Sequence, residues 1–152
     1  METIADISLV LALLTTGLMS GLYLAFSIAV LPGIARTDDA TFVAAMRGMN
    51  AAILNPVFGI VFAGPVLLDL GAAATRFPDD EGIGWTAVAL ALYVATLVIT
   101  AVVNVPLNNR LDTTEPPEKA RALFERRWVR WNLVRAVLCT ASFAALAMAL
   151  LG

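Results

Sequence analysis

Three stretches of this chain carry residues able to handle an anion or a polar aromatic molecule. Asn55 stands before a proline, Asn104 and Asn108 close one apolar block, and Trp131, Asn132 and Arg135 open the last one. An asparagine amide offers two donors and two acceptor lone pairs, which suits it to orienting a carbonyl or a phenol. An arginine about one turn inside an apolar span can stabilise an anion in a partly dry pocket. Asn132 and Arg135 are i and i+3, and Trp128 and Asn132 are i and i+4, so these three share a helix face. Helix capping, interfacial tryptophans and a snorkelling arginine would call for the same residues, and spacing alone leaves both readings open.

A second polar layer centres on Asp69, about 13 residues into an apolar block and so about 20 Å deep by helix rise. Thr15 or Thr16 and Tyr93 fall at similar depth, where their hydroxyls can partner a carboxyl group that is otherwise costly to bury. The alternative is a structural carboxylate near the outer headgroups, because Arg76 follows it closely. The candidate site residues are therefore Arg135, Asn104 and Asn132, with Asn55, Asn108, Trp131 and Asp69 beside them. No metal ligands are assigned. The chain has no histidine, the usual ligand of haem, copper and catalytic zinc and the commonest general base. Cys139 is its only cysteine, so no metal-binding cysteine pair exists. No cofactor is expected.

These residues must be positioned by helices in a membrane. Apolar residues make up 60% of the chain and charged ones 14%, roughly half the charged fraction of about 25% in soluble domains. The apolar residues form four blocks, which predicts an all-α, integral membrane four-helix bundle: one transmembrane domain over residues 1–152, with spans at about 7–34, 56–74, 85–105 and 133–151. The first residues lack the basic start of a secretory signal, so the first span is expected to be retained. Gly17, Gly21 and Ala25 form a small-residue ridge for close helix approach. Thr37 or Asp38 caps an amphipathic interfacial helix over about 38–54, with Phe42, Met46, Met49 and Ile53 at helical spacing. Asn55-Pro56 interrupts it. An acidic turn from Phe77 to Gly82 joins the second and third spans, and Trp85 is placed as an interfacial anchor. Pro106 and the polar run Asn108, Asn109 and Arg110 end the third span, followed by a loop to Pro117. From there nothing breaks the helix, whose length of about 50 Å exceeds a hydrocarbon core of about 30 Å. Its charged first part must project or lie along the surface.

Nine of the ten lysines and arginines fall on one side of this arrangement, and only Arg76 is opposite. The positive-inside rule makes that side cytoplasmic and turns both termini outward, in a plasma membrane of bacterial type. Arg126, Arg127 and Arg130 suit a face meeting anionic headgroups. Expected partners are membrane lipids, a lipophilic aromatic substrate, and either further copies of the chain or a membrane partner protein. The charge pattern gives nucleic-acid binding no support.

The segments Gly21-Leu-Tyr-Leu-Ala-Phe-Ser27 with Leu31-Pro32-Gly33, Met49-Asn50-Ala51-Ala52-Ile53-Leu54-Asn55-Pro56, Asn104-Val-Pro-Leu-Asn108-Asn109 and Trp128-Val-Arg-Trp131-Asn132-Leu-Val-Arg135, in this order, resemble the anthrone oxygenase-like family of small membrane proteins. Much of that family was first catalogued as a domain of unknown function. The resemblance implies oxidation of anthrones to anthraquinones by molecular oxygen without metal or flavin. It further implies that Arg135 stabilises the enolate, that Asn104, Asn108 and Asn132 orient its oxygens, and that Trp131 is an aromatic wall. The competing reading is a non-enzymatic protein, either a lipid- or hydrophobe-binding module or an accessory subunit of a membrane complex. A transporter is disfavoured, because one four-helix chain with a single deep carboxylate would need to oligomerise to form a pathway.

Overall fold

Runs of Leu, Ala, Val and Ile this long satisfy their backbone groups in lipid only by forming helices that cross it. The computed structural model describes residues 2–75 and 82–151; the expected turn over 77–81 and Arg76 lie outside the described residues. The helices are α1 (Glu2–Ala25), α2 (Leu31–Ile34), α3 (Asp39–Ala52), α4 (Pro56–Thr75), α5 (Gly82–Ile99), α6 (Val105–Thr113) and α7 (Pro117–Leu151), with no strand among the described residues. Two π-helical turns, Phe26–Val30 and Thr100–Asn104, join α1 to α2 and α5 to α6. Four continuous rods result, over 6–34, 56–74, 82–113 and 117–151, each long and apolar enough to cross a membrane.

The third rod corrects the expected span end at residue 105, because it runs through Pro106 to Thr113. A proline inside an α-helix lacks a donor and crowds the carbonyl four residues back. Here the Val105 amide bonds to the Thr100 carbonyl, five residues back, and this wider turn carries the chain past Pro106. The same device precedes Pro32, where the Leu31 amide bonds to Phe26. Residues 111–113, expected in a loop, are the last turn of α6, and the chain becomes extended only at Thr114.

Asp38 is the cap of α3: its carboxylate accepts from the Thr41 amide at 2.9 Å and the Thr41 hydroxyl at 2.8 Å, and these bonds hold it below the usual carboxylate range. The apolar face of α3 meets protein. Phe42, Val43 and Met46 are buried against Leu107 and Leu111 of α6 and Ala120, Phe124 and Trp128 of α7. The charged first half of α7 is one wall of this cluster.

Two arginines tie the cluster together. Arg121 donates to the carbonyls of Ala35 at 2.8 Å and Thr37 at 2.9 Å, pairs with Asp39 and Glu125, and sits 4.5 Å over the Phe42 ring. Arg47 donates to the carbonyls of Leu111 and Thr114 at the end of α6, where helix carbonyls lack intrahelical partners. The small-residue ridge makes contact only in part: a Cβ on Gly17 would stand 3.0 Å from the Phe143 ring, whereas one on Gly21 would meet nothing within 4 Å. Gly64 and Gly71 of α4 instead face Thr15 and Ser8 of α1.

Phe42→Ala should destabilise the protein by about 3–5 kcal/mol, because a fully buried ring at the centre of the cluster is lost. Thermal unfolding in mild detergent checks this; a change under about 1 kcal/mol would show that the cluster adds little.

Candidate active site

On α7, Trp128, Asn132, Arg135 and Cys139 recur at i, i+4, i+7 and i+11, and all four are buried. This single polar and aromatic stripe faces α1 and the third rod. Asn132 donates to the Tyr23 carbonyl at 3.0 Å and to the Ser27 hydroxyl at 2.8 Å, while its own carbonyl accepts from Arg135 at 2.8 Å. A second nitrogen of Arg135 donates to the Thr100 hydroxyl at 3.2 Å. The guanidinium lies 4.5 Å over the Tyr23 ring and 5.4 Å over the Trp128 ring, within reach of both π faces. Arg135 is 5% exposed, and it has no carboxylate partner among the described residues.

This cluster faces a cavity of about 1050 Å³. Tyr23 and Phe26 line it from the first rod, Phe58 and Phe62 from α4, Thr100, Asn104 and Asn108 from the third rod, and Trp128, Asn132 and Arg135 from α7. The loop between α3 and α4 supplies a further wall. Several lining groups are buried without a hydrogen-bond partner among the described residues: both amide atoms of Asn104, the Tyr23 hydroxyl, the Asn50 amide nitrogen and Nε of Arg135. Buried polar groups are ordinarily satisfied, so such a concentration around one cavity marks a place where a ligand or water supplies the missing partners. The donor set is amide, hydroxyl and guanidinium, chemistry suited to a carbonyl, phenol or enolate oxygen.

Five of the seven candidate residues converge on this cavity: Arg135, Asn104, Asn132, Asn55 and Asn108. Their surroundings differ. Asn55 spends its amide on the start of α4, accepting from the Phe58 amide and donating to the Ala52 carbonyl, so it acts as a cap at the rim. Asn108 accepts from the Trp128 indole at 2.8 Å and so holds that ring in place. Trp131 is half-buried and does not line the cavity, being turned about 100° from Asn132 on the helix, while Trp128 does line it. Asp69 also lies away from this cavity. It is fully buried about 10 Å beyond Phe62 along α4, outside the cavity, and its carboxyl oxygens have no hydrogen-bond partner among the described residues. The expected partners are occupied or turned elsewhere: Tyr93 donates to the Phe62 carbonyl and Thr15 to the Leu11 carbonyl, and the Thr16 hydroxyl is unpartnered.

Tyr23, Phe26, Asn50 and Thr100 were missed. Trp128 carried a signal, its i, i+4 relation to Asn132. Thr100 carried none, because its position depends on the π turn. Among the described residues no group of three or more His, Cys, Asp or Glu side chains is placed to hold a metal ion.

Four membrane-length helices around an amide- and arginine-lined cavity at one end define a multi-pass membrane protein. The chain belongs to the anthrone oxygenase family, whose model matches residues 46–145. That range includes Asn55, Asn104, Asn108, Asn132 and Arg135. No curated protein and no solved structure matches the chain.

The two buried asparagines should respond oppositely to mutation. Asn132→Ala should lower stability by about 1–3 kcal/mol, since it strips Arg135 of a buried acceptor. Asn104→Leu removes atoms that have no partner among the described residues and should leave stability within about 1 kcal/mol of the wild type or raise it. Thermal unfolding of both variants checks the contrast; equal losses would mean Asn104 is structurally engaged.

Proposed function

We propose that this protein oxidises an acidic, lipophilic aromatic of the anthrone or quinol class with molecular oxygen. The observation that carries the reading is Arg135: a buried guanidinium with no carboxylate partner among the described residues, beside the unpartnered Asn104 amide and Tyr23 hydroxyl and between aromatic walls. A buried cation of this kind favours an anionic ligand.

The chemistry follows from the substrate. Loss of a proton from the reactive carbon of an anthrone yields an aromatic enolate, and Arg135 and Asn104 lower the energy of that anion by meeting its oxygen. Transfer of one electron to O2 gives a radical and superoxide, which combine at the same carbon as a peroxide. Loss of water leaves the second carbonyl. For an anthrone, each turnover consumes one O2, releases one water, and exchanges two hydrogens of the substrate for one oxygen; a quinol instead passes two electrons and two protons to O2, giving a quinone and hydrogen peroxide. Phe26, Phe58 and Trp128 flank the ring system and keep bulk water from it.

The basic end, with α3, α6 and the first half of α7, is assigned to the cytoplasm and both termini to the outside, on the positive-inside rule. The second functional reading is a carrier that binds such a molecule without transforming it; the same cavity serves both, and turnover separates them.

Purified protein in lipid should consume oxygen with an anthrone substrate above the spontaneous rate, and Arg135→Gln should lower kcat by about 10²–10³ while the protein stays folded. Wild-type protein at the background rate would favour the carrier. In a Cys139→Ser background, Ile4→Cys should label with an impermeant maleimide in intact cells and Glu118→Cys should not; the opposite pattern reverses the orientation.

A further inference from the structure

The cavity is divided in a way that a compact ring system does not need. Its volume of about 1050 Å³ matches the upper end of the range of about 300–1,000 Å³ that drug-sized ligands occupy. Arg135 and Asn132 link the hydrogen-bonding groups on α1, the third rod and α7, and Arg47, Asn50, Asn109 and Asp112 add a polar rim to the same cavity. The α4 arm is different: Leu54, Phe58, Gly59 and Phe62 line it, and the Asn55 amide there is spent on capping. That arm is open. Leu54 is 81% exposed, Gly59 is exposed, and Val105, which lines the same cavity from the third rod, is 43% exposed. Val57 and Ile60 continue the same exposed apolar surface along α4. On membrane-spanning rods such a surface meets acyl chains, so the arm leads sideways into hydrocarbon.

We propose that the ligand has two parts: a planar head with an ionisable oxygen, seated at Arg135 and Asn104, and a long apolar chain that lies along the α4 arm. The chain leaves between Gly59 and Val105 into the bilayer. This rests on the reading of Arg135 and Asn104 as the head site. The substrate class is thereby narrowed to chain-bearing phenols, quinols or enols that already reside in the membrane, and the protein takes them from the bilayer rather than from water. Because lipid is as apolar as the arm, the chain adds direction of entry more than affinity.

The position of Gly59 makes the idea testable. A Cβ there meets nothing within 4 Å, so a larger side chain enters the arm without displacing the backbone. The probes are 2-hydroxy-3-alkyl-1,4-naphthoquinones, acidic enols, with methyl or dodecyl chains, titrated against protein in phosphatidylcholine nanodiscs with affinities expressed per lipid. Wild type should bind both. Gly59→Phe should weaken the dodecyl probe by about tenfold or more through overpacking, and leave the methyl probe within about twofold. Retained methyl binding also shows that the variant is folded. Independently of any variant, a diazirine at the chain end should crosslink to wild-type residues around Leu54, Gly59 or Val105. Equal effects of Gly59→Phe on the two probes, or crosslinks at the polar rim near Asp112, would overturn the proposal while leaving the head site intact. If Arg135→Gln fails to weaken the methyl probe, the head-site reading itself fails. A co-purified phospholipid, seen by native mass spectrometry and not displaced by the dodecyl probe, would also overturn the two-part ligand.

Discussion

A guanidinium withdrawn from water needs oxygen acceptors within hydrogen-bond reach, and a carboxylate is the usual one. At Arg135 they come instead from neutral groups: the Asn132 carbonyl one turn away on α7 and the Thr100 hydroxyl on the third rod. Asn132 can serve only because its own amide is anchored to the first rod, at Tyr23 and Ser27. Three of the four membrane-length rods are therefore registered against one another through a single charged side chain. The cation is held in place but not neutralised, which is the condition for it to act on a bound anion.

The same economy governs the basic end. Arg47 spends most of its donors on backbone carbonyls left free at the end of α6, and Arg121 divides its own between carbonyls after α2 and the carboxylates of Asp39 and Glu125. Helix ends expose such carbonyls by construction, and charged donors satisfy them better than neutral ones. With these ties made, α3 closes over α6 and the first half of α7: its Phe42 ring meets Phe124 edge-on, and Phe124 stacks on Trp128. Trp128 belongs to both regions. One side packs in the apolar cluster, while its ring underlies Arg135 and its indole nitrogen bonds to Asn108. The rigidity of the basic end is thus transmitted directly to the cavity wall.

The π turns add a further link. Both fall next to a proline that would otherwise break a membrane helix, and the two turns contribute Phe26, Thr100 and Asn104 to the cavity. A π turn rotates the residues that follow relative to an α-helical course, so the prolines help to aim the site as well as let the rods continue. Asp69 stands apart from all this. It is buried outside the cavity, about two turns further along α4 than Phe62.

Much of this architecture is written in composition and order. Four apolar blocks with sparse charge can satisfy their backbones in lipid only as helices, so the bundle follows from the sequence by itself. The i, i+3 and i, i+4 spacing of Trp128, Asn132 and Arg135 put them on one face, and the family was legible in the segments around Asn55, Asn104 and Asn132. Depth and helix face are local properties and can be counted. Which neighbour a face meets is not local. Only the tertiary structure decided that Asn55 caps while Asn104 has no partner among the described residues, that Trp128 rather than Trp131 walls the cavity, and that α3 turns its apolar face to protein. It also decided that the third rod passes Pro106, because a five-residue backbone bond at Thr100 costs little there and brings Thr100 to Arg135. Partnership in a hydrogen bond depends on the register between rods, and that register is set by contacts from distant parts of the chain.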